Sequence, residues 1–139
     1  MKKVVNLIFA VTVLFTVACS QEDDGKSNSE MTFKEDLTFD YGKIEQHSDG
    51  VHEFEFKNTG SEPLIITNVK SSCGCTVPSY PKEPIQKNKK GKIHVKYNTK
   101  RISSFRKTIT VYSNAKNSPI ILHIKGEVIK PDTIENKQN

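Results

Sequence analysis

Two cysteines one residue apart, Cys73-Gly74-Cys75, have the greatest chemical potential in this sequence. Three chemistries are open to them. A disulfide across a single residue needs Cα atoms within about 6.8 Å, near the limit for an extended chain, so it requires a bend, which Gly74 permits. Two thiolates can also hold Cu(I) or supply half of a tetrahedral zinc site, although C-x-C lies outside the common zinc-knuckle spacings. Reduced and packed at a strand end, the pair would act as small hydrophobes. Nucleophilic catalysis needs a base beside the thiol, and the histidines do not supply one from their positions. His94 lies between Ile93 and Val95 and His123 between Leu122 and Ile124, so alternation turns both away from the core side. His52 shares parity with Phe54 and Phe56, which places it at a core edge, and His47 falls in a polar loop. No phosphate loop, paired-carboxylate motif or metalloprotease motif is present. The reading is a non-enzyme with no catalytic residue, and metal handling (copper or zinc) through Cys73 and Cys75 is the alternative.

Cys19 points to different chemistry. Lys2 and Lys3 form a positive start, and Val4 to Ala18 is an apolar run interrupted by Asn6, Thr12 and Thr16. As a helix this run covers roughly 22 Å, short of the roughly 30 Å hydrocarbon core, so it reads as a signal peptide rather than a membrane span. Small Ala18 suits peptidase cleavage before Cys19, whose thiol would carry a thioether-linked lipid. The arrangement resembles a bacterial lipobox, with Thr16 where a leucine is usual. An acylated Cys19 implies a stable membrane anchor. The acidic cluster Glu22-Asp23-Asp24 and the polar run to Glu30 read as a tether with nothing to bury. The cluster also resembles the short acidic signals that route some bacterial lipoproteins to the outer face of the outer membrane. The expected location is the outer membrane, on its periplasmic or cell-surface face.

Composition narrows the rest. The chain has 139 residues, enough for one ordinary domain, and its net charge of +5 falls to +3 once Lys2 and Lys3 leave with the signal. That mild excess argues against a nucleic-acid partner. The densest basic cluster, Lys87, Lys89, Lys90 and Lys92, reads as a soluble turn guarding a sheet edge, with attraction to head groups or anionic polysaccharide as the functional alternative.

Short alternating runs must position these residues. From Phe33 onward, period-2 apolar patterns recur between turn residues: Thr38 to Tyr41, Val51 to Lys57, Leu64 to Val69, Ile93 to Tyr97, a run around Ile109 and Val111, and Ile120 to Val128. Asn58 to Pro63 is a turn, since Asn and Gly tolerate positive φ and Pro blocks a strand. No convincing helix appears. The expected fold is all-β, an immunoglobulin-like antiparallel β-sandwich of about seven short strands. The expected layout is a lipoprotein signal peptide at 1–18, the acylated cysteine and acidic tether at 19–32, the sandwich at 33–129 and a polar tail at 130–139.

Several segments are similar to one family. Phe39-Asp40-Tyr41-Gly42-Lys43-Ile44, Phe54 to Gly60, Ser72-Cys73-Gly74-Cys75-Thr76-Val77-Pro78, Val95 to Thr99 and Ile109 to Ala115 resemble the domain of unknown function 1573 family over about Phe33 to Val128. The resemblance implies an exported bacterial protein with an immunoglobulin-like fold akin to modules that mediate protein contacts, and no assigned activity. Lys87-Asn88-Lys89 replaces a Pro-Gly-Glu type turn common there, and Ser104 stands where Gly often precedes the phenylalanine. The functional expectation is a lipid-anchored cell-envelope protein with a non-catalytic binding or structural role, its partner an envelope protein or glycan.

Overall fold

A computed structural model describes residues 27–131. The signal peptide, Cys19, the acidic cluster and all but the first residues of the polar tail lie outside them. Eight strands build the fold: β1 (Met31–Phe33), β2 (Thr38–Glu45), β3 (Gly50–Asn58), β4 (Ile66–Ser71), β5 (Thr76–Ser79), β6 (Lys90–Tyr97), β7 (Ser103–Ser113) and β8 (Ile120–Ile129). They form two four-stranded sheets, ordered β1-β3-β6-β5 and β2-β8-β7-β4. The sandwich reading holds, with two differences. There is an eighth strand, and β2 runs parallel to β8 rather than antiparallel.

The core lies between the sheets and follows from alternation. Phe54 and Phe56 on β3 and Ile93 and Val95 on β6 face Ile109, Val111, Leu122 and Ile124 on β7 and β8, and none is more than 1 % exposed. Burying each such side chain contributes about 1.5–3 kcal/mol relative to leaving it in water. The intervening residues point outward, and there Lys90 pairs with Glu55 at 2.7 Å and Lys92 with Glu53 at 2.5 Å. Half of the basic cluster is thus charge-paired across β3 and β6. Between its lysines, Asn88 takes φ 65°, the left-handed conformation that a glycine would supply and that asparagine tolerates.

The strand read over Leu64 to Val69 is shifted. Regular pairing runs from Ile66 to Ser71, while Leu64 makes an isolated bridge to Ile85. The fold also starts ahead of residue 33. Ser29 and Met31 are buried, and β1 pairs with β3 through Met31 opposite Asn58. Two residues read as tether, Met31 and Thr32, therefore belong to a sheet.

These pairings give the sandwich two poles. At one, Asn58 and the start of β6 receive the N-terminal segment. At the other, Gly50, Tyr97 and Thr76 lie side by side, and the chain crosses from β4 in one sheet to β5 in the other through Ser72-Cys73-Gly74-Cys75. The nine residues of β3 separate the poles by about 27 Å at 3.4 Å per residue.

Candidate functional site

The β4–β5 crossover is held by main-chain bonds and by one hydroxyl. Ser72 N–H donates to Thr108 O at 2.9 Å, Asn98 N–H donates to Cys75 O at 2.8 Å, and Thr76 N–H reaches Cys73 O at 3.4 Å. The Ser71 hydroxyl lies 2.7 Å from the carbonyl oxygens of both Cys73 and Thr76. This frame bends the chain at exposed Gly74. Cys73 and Cys75 are joined in a disulfide with Cα atoms 5.4 Å apart, well inside the range that a bridge requires.

Both sulfurs are therefore committed to each other, and no thiolate pair is left for Cu(I) or zinc. Nor does any group of three or more His, Cys, Asp or Glu side chains gather as candidate metal ligands among the described residues. Among the described residues the donor set does not fit a metal. The side-chain contact of Cys73 Sγ is the Thr76 hydroxyl at 3.8 Å, which is no general base.

The histidines scatter. His94 is exposed on β6 with Nδ1 2.9 Å from Glu53, and His123 is half-buried on β8, its Nδ1 3.4 Å from the Thr108 hydroxyl. His47 sits exposed in the β2–β3 turn at φ 66°. His52 lies at the core edge, its ring stacked on Phe39 at 3.5 Å and edge-on to Phe54 at 4.6 Å. Its Nε2 is buried and has no hydrogen-bond partner among the described residues. Burial holds its pKa below the ordinary 6.5, against the opposing pull of Glu35 and Glu53. The unfolded chain therefore binds this proton more readily than the folded one, so stability is fully present above about pH 6.5 and declines as pH falls through the lowered folded value. His52→Phe is expected to lose that component of the acid decline and to match or exceed the parent's thermal midpoint near neutral pH. Melting both proteins between pH 7.5 and 5 checks it, and parallel declines would rule out His52 as the source.

Sequence periodicity gave no sign of the surface beside the disulfide. An open cleft of about 560 Å³ runs past Gly74, Cys75 and Val77 on one side and Lys96, Asn98 and Lys100 on the other, with His47 and Asp49 at its margin. A second cleft, about 310 Å³, shares Cys75, Tyr97, Asn98 and Lys100 with it and continues past Arg101 and Ser103 to Lys107. Tyr97 forms the floor between them, stacked on Phe105 at 3.7 Å. Its phenol is pushed up by burial, while Arg101 and Ser103 pull it down. Behind it, burial and the Asp49 charge push the Tyr41 phenol up to about 12, so Tyr41 stays protonated and donates to Gly50 O at 2.8 Å. The turn between β6 and β7, residues 98–102, supplies Asn98, Thr99, Lys100 and Arg101 to the lining of the two clefts.

A family model described as "Protein of unknown function (DUF1573)" matches residues 31–128. No curated protein matches the chain. Among solved structures, a Porphyromonas gingivalis W83 protein of unknown function superposes with TM-score 0.60 at 15 % identity, over 75 % of this chain and 48 % of that one. This chain thus spans about half of that protein. The seventh PapD-like domain of human CEP192 gives TM-score 0.60 at 9 % identity over 94 % of this chain and 98 % of that domain. The secreted serine protease VesC of Vibrio cholerae gives 0.53 at 10 % identity, covering 71 % of this chain but 23 % of the protease. At these identities the likeness is one of fold.

Proposed function

The chain belongs to the DUF1573 family of proteins of unknown function, and from that premise we propose that it is a lipid-anchored cell-envelope protein whose β-sandwich serves as a non-catalytic binding module. The observation that carries this reading is the pole at Cys75. An open cleft with cationic, amide and hydroxyl lining lies there, and the cysteine in its lining is a half-cystine with no free thiol. Such a surface is suited to holding a ligand. A protein or glycan of the envelope is the partner this reading implies.

The anchor rests on the sequence: a charged start, an apolar run too short to span, and Ala18 before Cys19. The stretch from Cys19 to Ser27 reaches at most ~29 Å even fully extended, so an acylated chain keeps the sandwich beside its membrane, on the periplasmic or cell-surface face of the outer membrane. Replacing Cys19 with alanine is expected to move the protein from the membrane pellet to the soluble fraction, because two or more acyl chains are the anchor and each buried CH₂ contributes about 0.8 kcal/mol. Unchanged retention in the pellet would refute lipidation. Protease added to intact cells then separates the two faces, since a surface-exposed sandwich is digested and a periplasmic one is protected.

A further inference from the structure

We propose that the joined clefts at the disulfide pole bind a strand of acidic polysaccharide, with Lys96, Lys100, Arg101 and Lys107 pairing its carboxylates. The inference rests on the binding-module reading and names the ligand class. Its basis is a group of unpaired cations gathered around one concave surface. On the outer face of β3 and β6, Lys90 and Lys92 are matched to glutamates, and Lys116 and Lys125 are matched to Glu30 and Asp40. The four cations of the clefts have no carboxylate within ion-pair distance among the described residues. Asp49 is the one carboxylate in the lining, against those four cations and His47. A concave surface lined by one sign of charge focuses its field and concentrates counter-charged ligands.

Shape and donors select among polyanions. The two clefts are neighbours that share Cys75, Tyr97, Asn98 and Lys100, and two open sites in a row suit an extended chain better than an enclosed small molecule. Asn98, Ser103 and Ser104 interleave with the cations and can hydrogen-bond sugar hydroxyls, while the Arg101 guanidinium can take a carboxylate through two parallel bonds. An acidic peptide would instead dock by adding a strand to the adjacent β5 edge. That edge is blunted, because Pro78 has no N–H and the Thr76 N–H is turned to Cys73 O. A lipid head group is disfavoured by placement. The N-terminal segment enters the sandwich at the opposite pole, where Ser61 N–H donates to Asn28 O at 2.9 Å.

The test titrates the purified full chain with a galacturonic-acid oligomer, with neutral dextran, with polyglutamate, and with phosphatidylglycerol vesicles. Binding to the uronate oligomer that weakens as salt rises from about 50 to about 300 mM is expected, with dextran silent and the other two polyanions weaker. Lys100→Glu with Arg101→Glu should weaken uronate binding by at least about tenfold. Lys87→Glu with Lys89→Glu, the same charge change at the far pole, should leave it within about twofold, which separates a site from net charge. If the glutamate pair lowers the thermal midpoint, the glutamine pair at the same positions carries the comparison. Equal loss in both double variants, equal or tighter binding of polyglutamate or vesicles, or no uronate binding overturns the proposal. If uronate binding fails while Cys19→Ala still frees the protein from membranes, the ligand class falls and the anchored module stands.

Discussion

Asn58→Leu is expected to destabilise the sandwich by about 3 kcal/mol and to lower its thermal midpoint by roughly 12–24 °C. Asn58 is fully buried, and its carboxamide uses every position it has. Nδ2 donates to Glu62 O at 2.7 Å and to Ile85 O at 2.9 Å, and Oδ1 accepts from Gly60 N–H at 3.0 Å and from Glu30 N–H at 3.4 Å. One side chain therefore ties β3 to the turn that follows it, to the 85–89 loop and to the segment leading into β1. Leucine fills similar space but leaves the buried Ile85 O and the part-buried groups of residues 30, 60 and 62 short of partners, and each buried orphan costs about 1–3 kcal/mol. The loss stays near the lower end because Ile85 O also accepts from Leu64 N–H at 2.9 Å. Asn58→Asp is the sharper probe. It keeps the shape and the Oδ1 acceptor but turns an anionic oxygen toward two carbonyls, so its loss should equal or exceed that of leucine. Chemical denaturation of the three proteins measures this, and an aspartate variant within about 0.5 kcal/mol of the parent would refute the hub.

Gly60→Ala is expected to undock β1 at a cost of about 3 kcal/mol. A Cβ at Gly60 would collide with the Asn28 carbonyl oxygen and come within 2.5 Å of Glu30 N and Ser29 Cα. All three are backbone atoms, so rotamer changes give no relief and residues 28–30 must move away. The bonds from Thr59 N–H to Glu30 O and from Ser61 N–H to Asn28 O, both 2.9 Å, would break. Met31, 2 % exposed, would leave the core with them. Asn117 loses its grip as well, since its carboxamide brackets Met31 by accepting from the N–H at 3.2 Å and donating to the C=O at 2.8 Å. Hydrogen exchange should show residues 29–33 unprotected while β6, β7 and β8 keep their protection. Protection unchanged at β1 would mean that the segment shifts without releasing, and the prediction fails.

Period-2 alternation marked most of the longer strands, because each has one face toward the core and the other toward water. The strand around Leu64 to Val69 showed instead as an apolar run whose buried residues, Ile66 and Val69, fall three apart across a bulge. Val51 to Lys57 and Ile93 to Tyr97 are the clearest cases. The same parity placed His52 at a core edge and turned His94 outward. Two strands escaped. β1 has three residues, and β5 has four including Pro78, so neither is long enough to show a period. Turn chemistry likewise marked Asn58 to Pro63 as a turn, but Asn58 as a buried hub depends on Glu30 and Ile85, which lie far from it in sequence.

What the sequence determined by itself is local: the all-β class, the apolar faces, the turns, and the family resemblance later matched over residues 31–128. The tertiary structure decided what depends on partners. Alternation says which face of a strand is buried but not which strand lies beside it, so the parallel pairing of β2 with β8 was invisible. For the same reason the spacing of Cys73 and Cys75 left disulfide, metal and free thiols open, and the bend imposed by Ser71, Asn98 and Thr108 joined the sulfurs. The clefts arise last, because Lys96, Lys100, Arg101 and Lys107 come from two strands and a turn that meet Cys75 only once both sheets have closed over a shared core.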